Sequence, residues 1–119
     1  MKKYGMRGLL LAAFFAFALS PVSAEPTAAD RALAGDEFRR AVQVYYRGAF
    51  NDSVLLFEKA LSYLPGEPLI LDWLGKAYYR SGVEGAALQQ WQFALDSGFN
   101  AVLLKNRMEK AKQEPEEAE

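Results

Sequence analysis

The sequence predicts an all-α fold of antiparallel helix hairpins stacked side by side, about five helices in all. Three observations lead there. Stretches 41–65 and 75–99 answer one another at an offset of 34 residues: Tyr45 with Tyr79, Gly48 with Gly82, Phe57 with Trp91, Ala60-Leu61 with Ala94-Leu95. A period of that size marks stacked helix-turn-helix units. Within each stretch, apolar residues recur at spacings of three, four and seven, the helical period. Nowhere do apolar and polar residues alternate over a useful length, and no Asn-Gly or Asp-Gly turn occurs.

The first helix carries the stripe Phe38, Ala41, Val42 and Tyr45. It starts either at the capping pair Thr27 and Asp30 or at Asp36, with Gly35 between them, and Gly48 ends it. Asn51 is the expected N-cap of the second helix, whose apolar face is Val54, Phe57, Leu61 and Leu64. Pro65-Gly66 stops that helix, and Pro68 suits the first turn of the third. The third carries Leu71, Leu74, Gly75 and Tyr78 and ends at Ser81-Gly82. The fourth carries Ala87, Leu88, Trp91 and Leu95 and ends at Gly98. Asn100 can cap a fifth, with Leu104, Met108 and Ala111 as its apolar stripe.

The chain has 119 residues, which suits one domain. Residues 1–24 read as a secretory signal. Lys2, Lys3 and Arg7 precede an 11-residue apolar run, Leu9 to Leu19, too short to span a bilayer comfortably. Val22-Ser23-Ala24 is the expected cleavage site and Glu25 the new N-terminus; the alternative is a retained anchor. No Cys follows the run, so no lipid attaches there. Cleavage leaves 11 Lys+Arg against 15 Asp+Glu, a net charge of −4, which disfavours nucleic acid and anionic membrane as partners. The chain has neither Cys nor His, so the commonest general base and metal ligand are missing. No nucleophile-base pair, metal cluster or phosphate loop appears. No catalytic residue, metal or cofactor is expected. Asp72 with Glu37, or Asp72 with Lys76, are the only arrangements that invite a catalytic reading. Asp72 and Lys76 read better as a solvated i,i+4 pair.

Leu74-Gly75, Tyr78, Gly82, Ala87, Trp91 and Ala94-Leu95 sit at the signature spacing of the tetratricopeptide repeat, and the chain resembles that family. Ala41, Gly48, Phe50, Ser53, Phe57, Ala60-Leu61 and Pro65 do the same one period earlier. The resemblance covers about residues 34–113. It implies a right-handed α-solenoid, with units 34–67 and 68–101 and a closing helix 102–113. A polar segment 25–33 precedes them, and an acidic tail 114–119 follows, expected to be frayed. Gly75 and Ala94 would be small to let paired helices approach, and Phe57 and Trp91 would fill the space between hairpins. Glu84 departs from the aromatic pattern set by Phe50, and Phe99 from the stop set by Pro65.

Comparing units shows where the array begins and ends. Ile70, Leu74 and Ala77 give the third helix an apolar rear face, while the first has Asp36, Arg40 and Gln43 there. The fifth helix has Leu104, Met108 and Ala111 on its rear face, and Lys105, Glu109 and Lys112 on its forward one. Nothing is therefore expected to pack before the first helix or beyond the fifth.

The resemblance also implies a concave groove lined by the first helix of each unit, with Phe38, Val42, Tyr45, Leu69, Asp72, Lys76, Tyr79 and Arg80 on it. Leu103, Asn106 and Lys110 would form its far edge, while Lys59 and Gln92 would lie outside. Aromatic anchors with a few charges suit an extended peptide or a helix of a partner protein. For Phe38, Val42 and Tyr45 the alternative is the core. Some family members clamp a chaperone's terminal carboxylate with Lys, Asn and Arg. Here those places hold mostly Phe38, Val42, Trp73 and Leu103, and only Arg107 matches, so that activity is not expected. The reading is an exported scaffold that binds a protein partner, with the periplasm as its compartment. A self-associating structural module is the alternative.

Overall fold

In the computed structural model, residues 25–113 are described. The expected signal at 1–24 and the acidic tail at 114–119 lie outside them. The described residues form five α-helices: α1 Ala28–Tyr46, α2 Phe50–Tyr63, α3 Pro68–Arg80, α4 Glu84–Asp96 and α5 Ala101–Gln113. The fold is all-α. None of the described helices is long and apolar enough to cross a membrane.

The 34-residue period is present in the backbone. At the end of α1, the Gly48 N–H donates to the Tyr45 carbonyl at 2.9 Å and the Ala49 N–H to the Val44 carbonyl at 3.2 Å. At the end of α3, the Gly82 N–H donates to the Tyr79 carbonyl at 3.0 Å and the Val83 N–H to the Tyr78 carbonyl at 2.9 Å. Gly48 and Gly82 have φ of 85° and 82°, a region that only glycine enters without steric cost. Each connection takes three residues, too short for anything but an antiparallel return. Thus α1–α2 and α3–α4 are two hairpins made by the same turn.

Of the helix starts, the first decides between the two expected ones and the second differs from expectation. Thr27 forms a complete capping box with Asp30, its side-chain oxygen accepting from the Asp30 N–H at 3.1 Å. Helix α1 therefore begins at Ala28 and runs straight through Gly35, so most of the expected polar segment 25–33 is helical. Asn51 is not the cap of α2. That helix starts two residues earlier, with Ala49 at the N-cap and Asn51 within the first turn, because the turn after Gly48 sets the entry geometry. Asn100 does cap α5, its Oδ1 accepting from the Leu103 N–H at 3.3 Å.

Two apolar clusters hold the hairpins together. Ala41, Val54, Phe57, Leu74 and Ala77 join α1 and α2 to α3. Leu71, Ala87, Trp91, Ala94, Leu104 and Ala111 join α3 and α4 to α5. Phe57 fills the space between hairpins. Trp91 reaches α5, but its indole also lies flat on its own hairpin: a Cβ at Gly75 would fall 2.4 Å from Trp91 Nε1. The Trp91 Nε1–H donates to the Asp72 carbonyl at 3.1 Å, which fixes the ring there.

Both ends are closed by polar surface. Asp36, Arg40 and Gln43 are exposed on α1, and Lys105, Glu109 and Lys112 on α5, whereas Leu104 and Ala111 are buried. Lys59 lies outside the groove, as expected, and makes an ion pair there. Its Nζ sits 3.1 Å from Glu37, an acid buried where the second unit has Leu71, so Lys59 neutralises a buried carboxylate.

Candidate binding groove

The first helices of the two hairpins and α5 together line a groove of about 690 Å³. Its aromatic residues are Tyr45, Tyr46, Phe50, Trp73, Tyr79 and Trp91. Tyr45, Tyr46 and Trp73 meet edge to face, with Tyr45–Trp73 centroids 5.6 Å apart and Tyr46–Trp73 centroids 6.0 Å apart. These are favoured aromatic geometries, so the rings hold one another in place. Tyr46 is 74% exposed, an unusual position for a large ring.

The charged residues lining the groove are all cations: Arg47, Lys76, Arg80, Arg107 and Lys110. They make up five of the 11 Lys and Arg side chains among residues 25–113, a stretch that also holds 11 Asp and Glu. Two of the five lie over rings. Lys76 Nζ is 4.0 Å from the Trp73 centroid and the Arg80 guanidinium 4.5 Å from the Phe50 centroid, both within cation–π range. Burial, with the nearby Arg107 charge, lowers the Lys76 pKa from its ordinary value. Burial likewise raises that of the Tyr45 phenol, and Arg80 opposes the shift.

Asp72 lies beneath this surface. It is 3% exposed and its Oδ1 accepts from the Arg107 guanidinium at 2.6 Å. Burial raises the pKa of its carboxyl, and the Arg107 and Lys76 charges pull the other way. The expected solvated pair with Lys76 is therefore replaced by a buried ion pair between α3 and α5. The cause is the arrival of Arg107 from α5, which no spacing within α3 announces.

The eight residues placed in the groove from sequence separate into three groups. Tyr45, Lys76, Tyr79 and Arg80 line it. Phe38 and Val42 are half-buried against the first core cluster, as Tyr45 also is, and Phe38 meets Phe57 edge to face at 5.6 Å. Leu69 is 44% exposed and off the lining, and Asp72 is covered by Arg107. Of the expected far edge, Lys110 lines the groove, and Leu103 and Asn106 do not. Trp73 was within reach of sequence reasoning, since positions 69, 73, 76 and 80 follow the helical spacing. Tyr46, Arg47 and Phe50 were not, because they depend on how the Gly48 turn folds back.

The chain matches no family model, and the searches of curated proteins and of solved structures give no match. The fold and groove define a small all-α protein of two like hairpins closed by a fifth helix.

Proposed function

We propose that this chain is an exported adaptor of the tetratricopeptide type, acting in the periplasm, and that it binds a segment of a partner protein in the groove between Tyr45 and Lys110. The observation that carries this reading is the groove's composition. Rings that lock one another supply contact area at little side-chain entropy cost, and Tyr, Trp and Arg are the residues that dominate binding energy at interfaces. The repeated turn at Gly48 and Gly82 supports the family assignment, since it reproduces the 34-residue period in backbone geometry. The lack of His and Cys supports binding over catalysis, and the excess of acidic residues after residue 24 argues against nucleic acid.

The test is in vivo cross-linking in the native envelope with wild type and with the double variant Tyr45→Ala/Tyr79→Ala. The variant should lose the partner, by more than about 2 kcal/mol in a purified binding assay, the usual hot-spot threshold. Retention of the partner by the double variant refutes the groove reading. Intact mass of the native protein tests export: loss of residues 1–24 is expected, and a full-length membrane-bound chain opposes it. Self-association is the second reading, favoured by the exposure of Tyr46 at 74% and Val102 at 73%. A dimer in sedimentation whose contact covers Tyr46 would replace the first reading with this one.

A further inference from the structure

The groove's charge is one-sided, and the sequence that follows α5 has the opposite sign. Residues 114–119 contain Glu114, Glu116, Glu117 and Glu119 and no cation. We propose that this acidic segment is the groove's resident occupant and that a partner must displace it. The proposal rests on the groove being the binding site.

Placement favours it. Lys110 and Ala111 belong to the groove's wall, and Glu114 follows Ala111 by three residues, less than one helical turn. Six residues span about 20 Å when extended, comparable to two helix spacings of about 8–10 Å each.

Spacing favours it too. Lys76 and Lys110 are 34 residues apart and both line the groove, so they occupy the same place on successive first helices. One helix spacing is roughly 10 Å. An extended chain covers about 10 Å in three residues, and Glu114–Glu117 and Glu116–Glu119 are each three apart. Pro115 fits an extended chain, because its φ and that of its predecessor are both restricted to such conformations.

Among the described residues, Asp72 beneath the groove answers Arg107, and Arg47, Lys76 and Lys110 carry further positive charge. A segment tethered this closely has an effective concentration on the order of millimolar, so even weak pairing keeps it in place. Such pairing is screened by salt, with a Debye length of about 10 Å at 0.1 M. The partner segment that competes is then acidic as well.

The test uses the full chain and a variant with all four tail glutamates changed to Gln. Both tryptophans of the chain, Trp73 and Trp91, line the groove, so intrinsic fluorescence reports on it. The probe is an acetylated peptide of sequence Glu-Pro-Glu-Glu-Ala-Glu. It should bind the Gln variant at least tenfold more tightly than wild type. Raising salt should shift the wild-type spectrum towards that of the variant, whose own spectrum stays unchanged. Adding Lys76→Glu/Lys110→Glu to the variant should abolish peptide binding. Equal affinity for both chains overturns the proposal and leaves the groove as an acidic-peptide receptor. No binding to either overturns the acidic class as well. The cross-linking experiment with the tyrosine variant still decides the groove itself, because it does not depend on tail charge.

Discussion

Gly75→Ala should destabilise this protein although Ala is the better helix former. In an exposed helix interior the change stabilises by roughly 0.5–1 kcal/mol. At position 75 the new methyl would lie 2.4, 2.6 and 2.7 Å from three atoms of the Trp91 ring. Ordinary carbon contacts begin near 3.5 Å, so the indole must retreat by about 1 Å. It has nowhere to go: Trp91 is 2% exposed and its Nε1–H is held by the Asp72 carbonyl. Overpacking of this kind costs about 1–3 kcal/mol, and loss of the indole hydrogen bond about 0.5–1.5 more. The net expectation is a loss of about 1–3 kcal/mol, read as a drop in Tm of roughly 5–20 °C for a domain this small. Gly85→Ala is the control, since nothing lies within 4 Å of its Cβ direction; it should raise Tm slightly. Trp91→Phe should relieve Gly75→Ala, so the double variant should be more stable than the sum of the single losses. Calorimetric or circular-dichroism melts of the four variants decide it. A Gly75→Ala protein that melts at or above wild type refutes the packing of α3 on α4 described above.

Two further expectations concern charged groups. Arg107→Gln leaves Asp72 buried beside Lys76 alone. It should cost about 1–3 kcal/mol at neutral pH, below the 3–5 of a fully buried pair because Arg107 keeps 22% exposure. Burial raises the folded-state pKa of Asp72, and removing Arg107 raises it further. The deficit should therefore shrink as pH falls towards 4, and urea melts at two pH values measure this. A deficit independent of pH would mean that Arg107 acts through packing alone. The Tyr78 hydroxyl donates to Glu58, and that contact, with burial, holds its pKa up at about 12. An acid with a raised folded pKa stabilises below its unfolded value, so stability should fall as pH rises from about 10 to about 12. Absorbance titration should follow this phenol to about 12, and Glu58→Gln should bring it back towards the ordinary value.

The helices and their stacking were legible because the information is local and repeated. Gly48 and Gly82 end helices through backbone conformation, and Ala60 and Ala94 are fully buried because they recur where helices cross. Polar Asp36, Arg40 and Gln43 against apolar Ile70, Leu74 and Ala77 marked the first helix as an end. The site was less legible, for two reasons. Phe38 and Val42 share a helical stripe with Tyr45, and a rotation of one residue decides between core and groove. Glu37 and Asp72 look like surface acids along the sequence, yet each is buried under a cation from another helix, Lys59 and Arg107. Such pairings depend on packing between elements, which periodicity within one element does not encode. The Ala49 cap carries the same lesson, since the turn before it overrode the preference of Asn51.

The closing helix has a consequence for how the groove responds to a ligand. Helix α5 is the last helix among the described residues, and it is held by Leu104, Met108, Ala111 and the Arg107–Asp72 pair. In a linear stack the terminal element opens at the lowest free energy, so amide hydrogens of α5 should exchange before those of α3 and α4. Yet Arg107 and Lys110 on α5 form one wall of the groove. Any ligand that touches both α1 and α5 binds only the closed state, and its binding free energy is added to the helicity of α5. Occupancy of the groove and protection of the last helix from exchange are then two readings of one equilibrium.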